Sequence, residues 1–166
     1  MKILIASDTH RRDGNMQTVI EREAPFDMLI HLGDAEGSED LITSWCLEQN
    51  EQCKVHMVRG NNDFFSSLPR DKEIKIGKYS AFLTHGHFYN VSVGTARLLD
   101  EAKDRKAQIV MYGHTHRPQL AVRDGVRIIN PGSLSFPRQD GRRGTYLVME
   151  LDAAGEAHYR QQYLDI

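Results

Sequence analysis

The sequence predicts an α/β protein built from two packed β-sheets with helices on their outer faces. In the first half of the chain, short apolar runs alternate with polar, helix-like stretches, a pattern typical of βαβ units and parallel strands. In the tail, short runs are separated by tight-turn residues such as Asp124-Gly125, which indicates antiparallel hairpins. Two packed sheets accommodate both kinds of strand, and we expect residues 1–166 to form one domain.

The elements of the first half follow from the spacing of apolar residues. Apolar runs predict strands at residues 2–7, 27–32, 55–58, 79–83 and 108–112, with a short strand at 74–76 that pairs with 79–83 across Gly77-Lys78. Helices are predicted at residues 17–23, 38–49 and 92–106. Ser38 is a residue type that caps helices, and the apolar residues that follow it form one helix face, Leu41, Ile42, Trp45 and Cys46.

The tail contributes two predicted hairpins. Residues 120–123 and 126–129 flank Asp124-Gly125, which is a strong signal for a tight turn. Residues 145–151 and 157–163 flank a longer turn that ends at Gly155. These segments are therefore expected to be antiparallel strands.

The composition excludes several classes of protein. Hydrophobic residues make up 40% of the chain and charged residues 27%, as in ordinary soluble domains. A net charge of -2 provides no basic field for nucleic acid or an anionic membrane. The apolar run before Asp8 is too short for a signal peptide, and no stretch is long enough to cross a bilayer, so we expect a cytoplasmic protein. Cys46 and Cys53 are expected to be unrelated thiols.

Side chains that can bind metal follow five of the predicted strands. The motifs are Asp8-Thr9-His10, Gly33-Asp34, Gly60-Asn61-Asn62-Asp63, His85-Gly86-His87 and Gly113-His114-Thr115-His116. Sites in open α/β sheets form beyond the carboxyl ends of strands, and the neighbouring glycines permit sharp turns there. Parallel strands would therefore bring these motifs to one rim of the protein.

The chemistry of these residues favours two metal ions. The candidate ligands carry nitrogen or oxygen atoms and are Asp8, His10, Asp34, Asn61, His85, His114 and His116. Such a set lacks the cysteines of a structural zinc site and is too large for one ion with an open position, but it suits two ions that share a carboxylate. Mixed histidine and carboxylate ligation favours Mn, with Fe, Zn, Ni and Co as alternatives, over Mg or Ca. In extended segments, the pairs Asp8/His10 and His114/His116 would each aim both side chains at one point.

Five motifs in this order, DTH, GD, GNND, THGH and GHTH, resemble those of the calcineurin-like metallophosphoesterases. The resemblance runs from Asp8 through the turn Asn130-Pro131-Gly132-Ser133, and the short chain is most similar to the small YfcE-type phosphodiesterases. It implies a four-layer α/β/β/α sandwich with two mixed sheets, and the activity of a metal-dependent phosphoric diester hydrolase. It also implies in-line attack on phosphorus by a hydroxide that bridges two ions.

The family pattern further implies which residues hold each ion. One ion would be bound by Asp8, His10, Asp34 and His116, and the other by Asp34, Asn61, His85 and His114. Asp34 would bridge the two ions. The residues expected to be catalytic are Asp34, Asn61 and His85.

The chain departs from the family pattern at two positions beside the ligands. Arg11 stands where many relatives have glycine, and Asn62 occupies the place of a histidine that serves larger relatives as a general acid or phosphate contact. An amide cannot protonate a leaving group near neutral pH, so small phosphodiesters with good leaving groups are the expected substrates. A phosphomonoesterase is the alternative in the same class, and a metal-binding interaction scaffold is the alternative outside it. The complete ligand set argues against the scaffold.

Four more residues are candidates for contacts with the ligands or the substrate. Asp63 is expected to orient a ligand, and His87 is close enough to His85 to support the site or to contact phosphate. Arg11 and Arg138 could each hold a phosphate with a bidentate guanidinium. The expected partner is a small phosphodiester, and the sequence leaves self-association of the chain open.

Overall fold

The computed structural model describes residues 1–165, which contain three α-helices and ten β-strands. The helices are α1 (Asp13–Glu23), α2 (Glu39–Gln49) and α3 (Ala96–Asp104). The strands are β1 (Lys2–Ala6), β2 (Met28–His31), β3 (Lys54–Met57), β4 (Asp71–Ile76), β5 (Tyr79–Thr84), β6 (Ile109–Met111), β7 (Pro118–Arg123), β8 (Val126–Pro131), β9 (Gly144–Leu151) and β10 (Ala157–Leu164). No helix within these residues is both long enough and apolar enough to cross a membrane.

The strands form two five-stranded mixed sheets. The first has the order β10-β9-β1-β2-β3, in which β1, β2 and β3 are parallel and β9 runs antiparallel to both β1 and β10. The second has the order β4-β5-β6-β8-β7, in which β5, β6 and β8 are parallel and the two edge strands are antiparallel to their neighbours. The predicted α/β class with parallel strands first and hairpins in the tail is confirmed.

Successive side chains along each strand point to opposite faces of the sheet, which divides the core into layers. In β1, Ile3 and Ile5 belong to the core between the two sheets, whereas Leu4 packs with buried residues of α1 and α2. In β5, Leu83 belongs to the core between the sheets, and Phe82 packs with α3. The order of layers is therefore α1 and α2, first sheet, second sheet and α3. This is the four-layer α/β/β/α sandwich that the family resemblance implied.

Two helices begin at other residues than predicted. α1 begins at Asp13 rather than at residue 17, and α3 begins at Ala96 rather than at residue 92. Before α3 the chain forms a 3-10 helix, His87–Tyr89, followed by a turn at residues 90–93 and then by Gly94. Glycine lowers helix stability because its backbone loses more freedom on folding, so the helix begins only after Gly94.

The α2 helix differs from its predicted form in two side chains. Ser38 does not cap the helix, because its hydroxyl donates to Asp13 Oδ2 at 2.9 Å and so joins the starts of α1 and α2. Ile42 and Cys46 are buried as predicted, but Leu41 is 44% exposed. The buried stripe of α2 is therefore narrower than the apolar residues of the sequence suggested.

The five motifs lie at a rim to which both sheets contribute. β1, β2 and β3 belong to the first sheet, and β5 and β6 belong to the second. Backbone hydrogen bonds join the turns within each sheet, from Asp8 N to Gly33 O (3.0 Å) and from Gly113 N to His85 O (3.0 Å). The predicted single rim therefore exists, but it is formed by the packing of two sheets rather than by one parallel sheet.

Glu23 at the end of α1 links this helix to the first sheet. Its carboxylate accepts a hydrogen bond from the Tyr146 hydroxyl (2.8 Å) and pairs with Lys2 Nζ (3.0 Å). Burial raises the pKa of Glu23, but the bonds from Lys2 and Tyr146 outweigh burial and leave the pKa below its ordinary value. We expect Glu23→Gln to lower the free energy of unfolding at pH 7 by about 1–2 kcal/mol, because it removes a charge-assisted bond and an ion pair in a mostly buried place.

Urea unfolding at pH 7 and in acid tests this expectation. A depressed pKa in the folded state stabilises the fold above the unfolded pKa of about 4.3, and the contribution is lost as the pH falls. The difference between wild type and Glu23→Gln should therefore shrink in acid. Glu156→Gln, which removes the exposed partner of Lys78, is the matched control and should leave stability unchanged. An equal loss of unfolding free energy in the two variants would contradict the expectation that the buried pair stabilises the fold more than the exposed pair.

Candidate metal centre

The first group of ligand atoms combines the turns after β1, β2 and β6. His116 Nε2 lies 3.2 Å from Asp8 Oδ1 and 3.2 Å from His10 Nε2. His10 Nε2 lies 3.8 Å from Asp8 Oδ1 and 3.8 Å from Asp34 Oδ2. Asp8, His10 and His116 therefore present one atom each to a common point, where they could hold one ion, and Asp34 Oδ2 lies beside them.

The second group lies beside the first and adds the turns after β3 and β5. Asn61 Oδ1 lies 2.9 Å from His85 Nε2 and 3.0 Å from His114 Nδ1. His85 Nε2 lies 3.4 Å from Asp34 Oδ2. The seven side chains that were predicted as ligands thus lie close together, and within them Asp8, His10 and His116 form one compact set and Asp8, Asp34 and His85 form another.

Two carboxylates face the space between the groups, and Asp34 is the more evenly placed. Asp34 Oδ2 is 3.8 Å from His10 Nε2 and 3.4 Å from His85 Nε2. Asp8 Oδ1 is 3.2 Å from His116 Nε2 but 3.9 Å from His85 Nε2. Asp8 therefore belongs to both compact sets of ligand atoms, and Asp34 Oδ2 lies within 3.8 Å of a histidine nitrogen in each of the two groups.

Asn62 and Asp63 position Asp34. The Asn62 backbone N–H donates to Asp34 Oδ1 (2.9 Å), and the Asn62 side-chain amide donates to Asp34 Oδ2 (2.8 Å). Asp63 Oδ2 accepts hydrogen bonds from the backbone N–H groups of Asp34 (2.8 Å) and Gly60 (2.7 Å). Asp63 Oδ1 accepts a third, from Glu36 N (2.7 Å). Asp63 therefore ties the turn after β3 to the turn after β2, which is the contact expected of a residue that orients a ligand.

Oxygen atoms behind three of the imidazoles fix their orientation. These acceptors face the Nδ1 atoms and are Glu36 Oε1 for His10 (2.7 Å), Leu32 O for His85 (2.6 Å) and Phe136 O for His116 (2.7 Å). Because carbonyl and carboxylate oxygens only accept, Nδ1 carries the proton in each neutral imidazole. Each Nε2 then presents a lone pair to the centre, as in histidines that bind metals.

The first group fits a cation because the lone pairs of its acceptor atoms point at one another with no donor between them. The Nε2 atoms of His10 and His116 are both acceptors, although they lie only 3.2 Å apart. Within residues 1–165, Asp8 Oδ1 is buried and has no hydrogen-bond partner. Buried acceptors are ordinarily satisfied, and a divalent ion would satisfy all of these atoms at once.

The charges of the centre shift the pKa values of its groups. Burial raises the pKa of Asp34, but the bonds from His85 and Asn62 outweigh burial and hold the pKa far below its ordinary value. Burial lowers the pKa of His85, but Asp34 and Asp8 outweigh burial and raise the pKa to about 9. Burial raises the pKa of Asp8 as well, and His116 and His85 bring it below the ordinary value. Near pH 7 the carboxylates are ionised, and an ion that binds His85 must displace a proton.

Five of the seven candidate ligands have left-handed backbone conformations. Their φ angles are 55° for Asp8, 46° for His10, 58° for Asp34, 68° for His114 and 58° for His116. A left-handed conformation costs a residue other than glycine about 1–3 kcal/mol and is found mainly where surrounding structure or function requires it. The prediction of extended segments at the two His-containing pairs is therefore wrong. The turns separate the second pair, so that His114 faces Asn61 and His116 faces Asp8.

The two arginines predicted to contact phosphate lie in different cavities. Arg138 lines a cavity of about 820 Å³ beside His10 and His116. Arg11 lines a neighbouring cavity of about 390 Å³ together with Phe65. Glu36 and Asn62 line both cavities, so each arginine lines a cavity that adjoins the metal centre.

His87 lies close to the second group of ligand atoms. Its ring centroid is 5.4 Å from that of His85 and 6.1 Å from that of His114. Its Nδ1 is buried and without a hydrogen-bond partner among residues 1–165. Burial and the charges of His85 and His114 lower the pKa of His87 to about 4. The structure thus places His87 beside His85 and His114.

Sequence reasoning missed several residues that support the centre. Glu36 holds His10, and the Ser7 hydroxyl donates to Asp8 Oδ2 at 2.6 Å. The Ser133 hydroxyl donates to Asp8 O at 2.7 Å. Two sequence features could have indicated them: Glu36 lies two residues after Asp34, and Ser133 lies in the turn that ends the motif series. Neither feature predicts which atom of the centre the side chain contacts.

Comparison with known proteins identifies the family of this chain. Residues 1–154 match the family model described as the calcineurin-like phosphoesterase superfamily domain. The chain is 31% identical to the probable metallophosphoesterase YsnB of Bacillus subtilis, over 97% of this chain and 92% of that protein. It is 27% identical to the phosphodiesterase YfcE of Escherichia coli, over 92% of this chain and 89% of that protein.

The fold is also shared with solved structures. The structure of a predicted phosphoesterase from Streptococcus pneumoniae superposes with a TM-score of 0.78 at 26% identity, covering 98% of this chain and 97% of that one. The family resemblance noted from the motifs is thereby confirmed. The chain belongs to the calcineurin-like phosphoesterase superfamily and is a metal-dependent phosphoester hydrolase.

Proposed function

We propose that the chain is a phosphodiesterase that works with two divalent ions. The proposed ligands are Asp8, His10, Asp34 and His116 for one ion and Asp34, Asn61, His85 and His114 for the other. The observation that carries the proposal is the position of Asp34 Oδ2, 3.8 Å from His10 Nε2 and 3.4 Å from His85 Nε2. A carboxylate that faces both groups is what two closely spaced ions require. Mn is the proposed metal, with Fe, Zn, Ni and Co as alternatives.

The residues of the centre prepare the site for chemistry at phosphorus. When bound, two divalent ions supply Lewis acidity and make hydroxide available near neutral pH for in-line attack. Asp34, Asn61 and His85 are proposed to be catalytic because their side chains adjoin one another, with His85 Nε2 2.9 Å from Asn61 Oδ1 and 3.4 Å from Asp34 Oδ2. Asp63 and the acceptors behind the imidazoles keep these side chains in one orientation, so that little reorganisation is needed when substrate binds.

Asn62 supports a preference for diesters with good leaving groups. Its side chain lines the cavity of about 820 Å³ and contacts Asp34, so it lies beside the reacting groups. An amide can donate a hydrogen bond but cannot transfer a proton near neutral pH. The leaving oxygen would then depart with little protonation, which favours aryl over alkyl esters.

Metal analysis combined with kinetics tests this proposal. Purified protein loaded with Mn is expected to contain close to two ions per chain, and to hydrolyse an aryl phosphodiester with a higher kcat/KM than the matched aryl monoester. Mg should support less activity than Mn, because histidine ligands suit Mn better. A single ion at saturation would refute the two-ion centre, and a monoester preference would refute the diesterase assignment while leaving the centre intact.

A further inference from the structure

Three arginines converge on the cavity beside the metal centre. Arg117, Arg138 and Arg142 line it together with His10 and His116, and its volume is about 820 Å³. Its acidic residue, Glu36, already bonds to His10 Nδ1 at 2.7 Å. The cavity wall therefore has an excess of positive charge next to the place where the scissile phosphate is proposed to bind.

These arginines have no carboxylate partner in the described part of the chain. Arg105 and Arg160, by contrast, pair with Glu101 (2.7 Å) and Glu150 (3.2 Å). Within residues 1–165, no carboxylate lies within salt-bridge distance of the guanidinium groups of Arg117, Arg138 or Arg142. Exposed unpaired arginines are common singly, but three that face one cavity repel each other unless an anion lies between them.

The backbone holds two of these arginines beside a candidate ligand. Arg117 directly follows His116, and the Arg138 backbone N–H donates to His116 O at 3.0 Å. The loop that carries Arg138 is thereby tied to the turn that carries His116. The turn that positions His116 therefore also keeps these two guanidinium groups close to the metal centre.

Two of these arginines, Arg117 and Arg138, also line a second cavity. Arg117 and Arg138 line a further space of about 610 Å³, which includes Arg123 and Thr95 in its wall. The two cavities therefore share Arg117 and Arg138. A ligand larger than one phosphate could extend from the metal centre past these two side chains.

We propose that the substrate of this phosphodiesterase carries a second phosphate on one ester arm, and that Arg117, Arg138 and Arg142 bind that phosphate. The inference rests on the proposed function, because it takes the scissile phosphate to lie at the metal centre. A phosphate monoester carries a charge of about -1.5 to -2 at pH 7 and offers several acceptor oxygens, which suits several guanidinium forks better than one carboxylate would. Phe136 and Pro137 in the same wall provide apolar surface for the uncharged part of the arm.

A matched pair of substrates tests the second phosphate. The p-nitrophenyl ester of thymidine 5′-phosphate is compared with the same ester bearing a 3′-phosphate. Wild type is expected to prefer the 3′-phosphorylated ester by about tenfold or more in kcat/KM, the factor produced by 1.4 kcal/mol of added binding. The triple variant Arg117→Gln, Arg138→Gln, Arg142→Gln should lose this preference, so that its ratio approaches one.

A control variant separates local contacts from net charge. Replacing Arg22, Arg97 and Arg160 with Gln removes the same three charges outside the cavity and should leave the preference unchanged. Loss of the preference in both triple variants would indicate a long-range charge effect and would overturn the proposed contacts. Absence of the preference in wild type, or its persistence in the cavity variant, would overturn them as well.

Calorimetry distinguishes failure of this inference from failure of the proposed function. Mn-loaded protein is titrated with thymidine 3′,5′-bisphosphate and with thymidine 5′-phosphate, neither of which is a diester. Wild type should bind the bisphosphate about tenfold more tightly than the monophosphate. The cavity variant should bind the two nucleotides with equal affinity. Hydrolysis of both esters without any difference in affinity would refute only the second phosphate site. A difference in affinity without hydrolysis would refute only the diesterase activity.

Discussion

Asp34→Ala is expected to remove both ions and to lower kcat/KM by on the order of a thousandfold or more. The reason is that Asp34 is the proposed bridging ligand, with its Oδ2 atom 3.8 Å from His10 Nε2 and 3.4 Å from His85 Nε2, whereas each other ligand is proposed to bind one ion. Losing the ions removes several kcal/mol of charge stabilisation at the transition state, and each 1.36 kcal/mol is a factor of about ten in rate. Metal content after gel filtration and steady-state kinetics under saturating Mn measure the two effects.

His10→Ala and His158→Ala are the comparison variants for this experiment. His10 belongs to the first group alone, so its loss should leave close to one ion per chain. His158 is exposed and contacts Asp152 in the terminal hairpin, so its loss should change neither metal content nor rate. Equal residual metal and turnover in Asp34→Ala and His10→Ala would contradict the shared position of Asp34.

Gly60→Ala is expected to disrupt the centre without removing any ligand. A Cβ atom at Gly60 would lie 2.5 Å from Asp34 N and 2.7 Å from Asp34 Cγ, closer than non-bonded atoms approach. Because Asp63 Oδ2 bonds both Gly60 N and Asp34 N, the clash cannot be relieved without moving Asp34. We expect destabilisation of about 1–3 kcal/mol from overpacking and a loss of on the order of a hundredfold in kcat/KM from displacement of the carboxylate.

Gly14→Ala is the matched control for this substitution. Gly14 lies in the first turn of α1, and no heavy atom lies within 4 Å of the position its Cβ would take. Alanine is the better helix former, so this variant should be as stable as wild type or more so, with unchanged kinetics. Thermal unfolding and kcat/KM for the two variants, measured side by side with the same metal, make the comparison. A Gly60→Ala protein with wild-type metal content and rate would show that the turn after β3 can yield without moving Asp34.

The order of the motifs was sufficient to predict the fold class and to select candidate ligands. Each motif follows an apolar run, and an apolar run that is buried on both faces can be recognised from sequence without tertiary information. Side-chain chemistry then limits what Asp8, His10 and Asp34 can do together, since two carboxylates and several imidazoles suit divalent ions. For these reasons the α/β class, the two-sheet arrangement and the family can be predicted from the sequence alone.

Local interactions that lack a strong sequence signal were predicted less well. α3 begins at Ala96 rather than at residue 92, and Ser38 bonds Asp13 instead of capping α2. Helix starts depend on a few hydrogen bonds near the terminus, and tertiary partners compete for the same side chains. The left-handed backbone of His114 and His116 was not predicted either, because nothing about a histidine favours that conformation over an extended one.

By itself, the sequence determined which chemical groups are available and that they follow strands, because residue type and apolar spacing are local properties. The tertiary structure alone decided which of these groups lie together, with Asp8 beside His116 and both Asp8 and Asp34 beside His85. It also decided that Arg117, Arg138 and Arg142 face one cavity beside His116. These arrangements depend on how the two sheets pack and on turns with positive φ angles, and both are set by contacts between residues far apart in the chain.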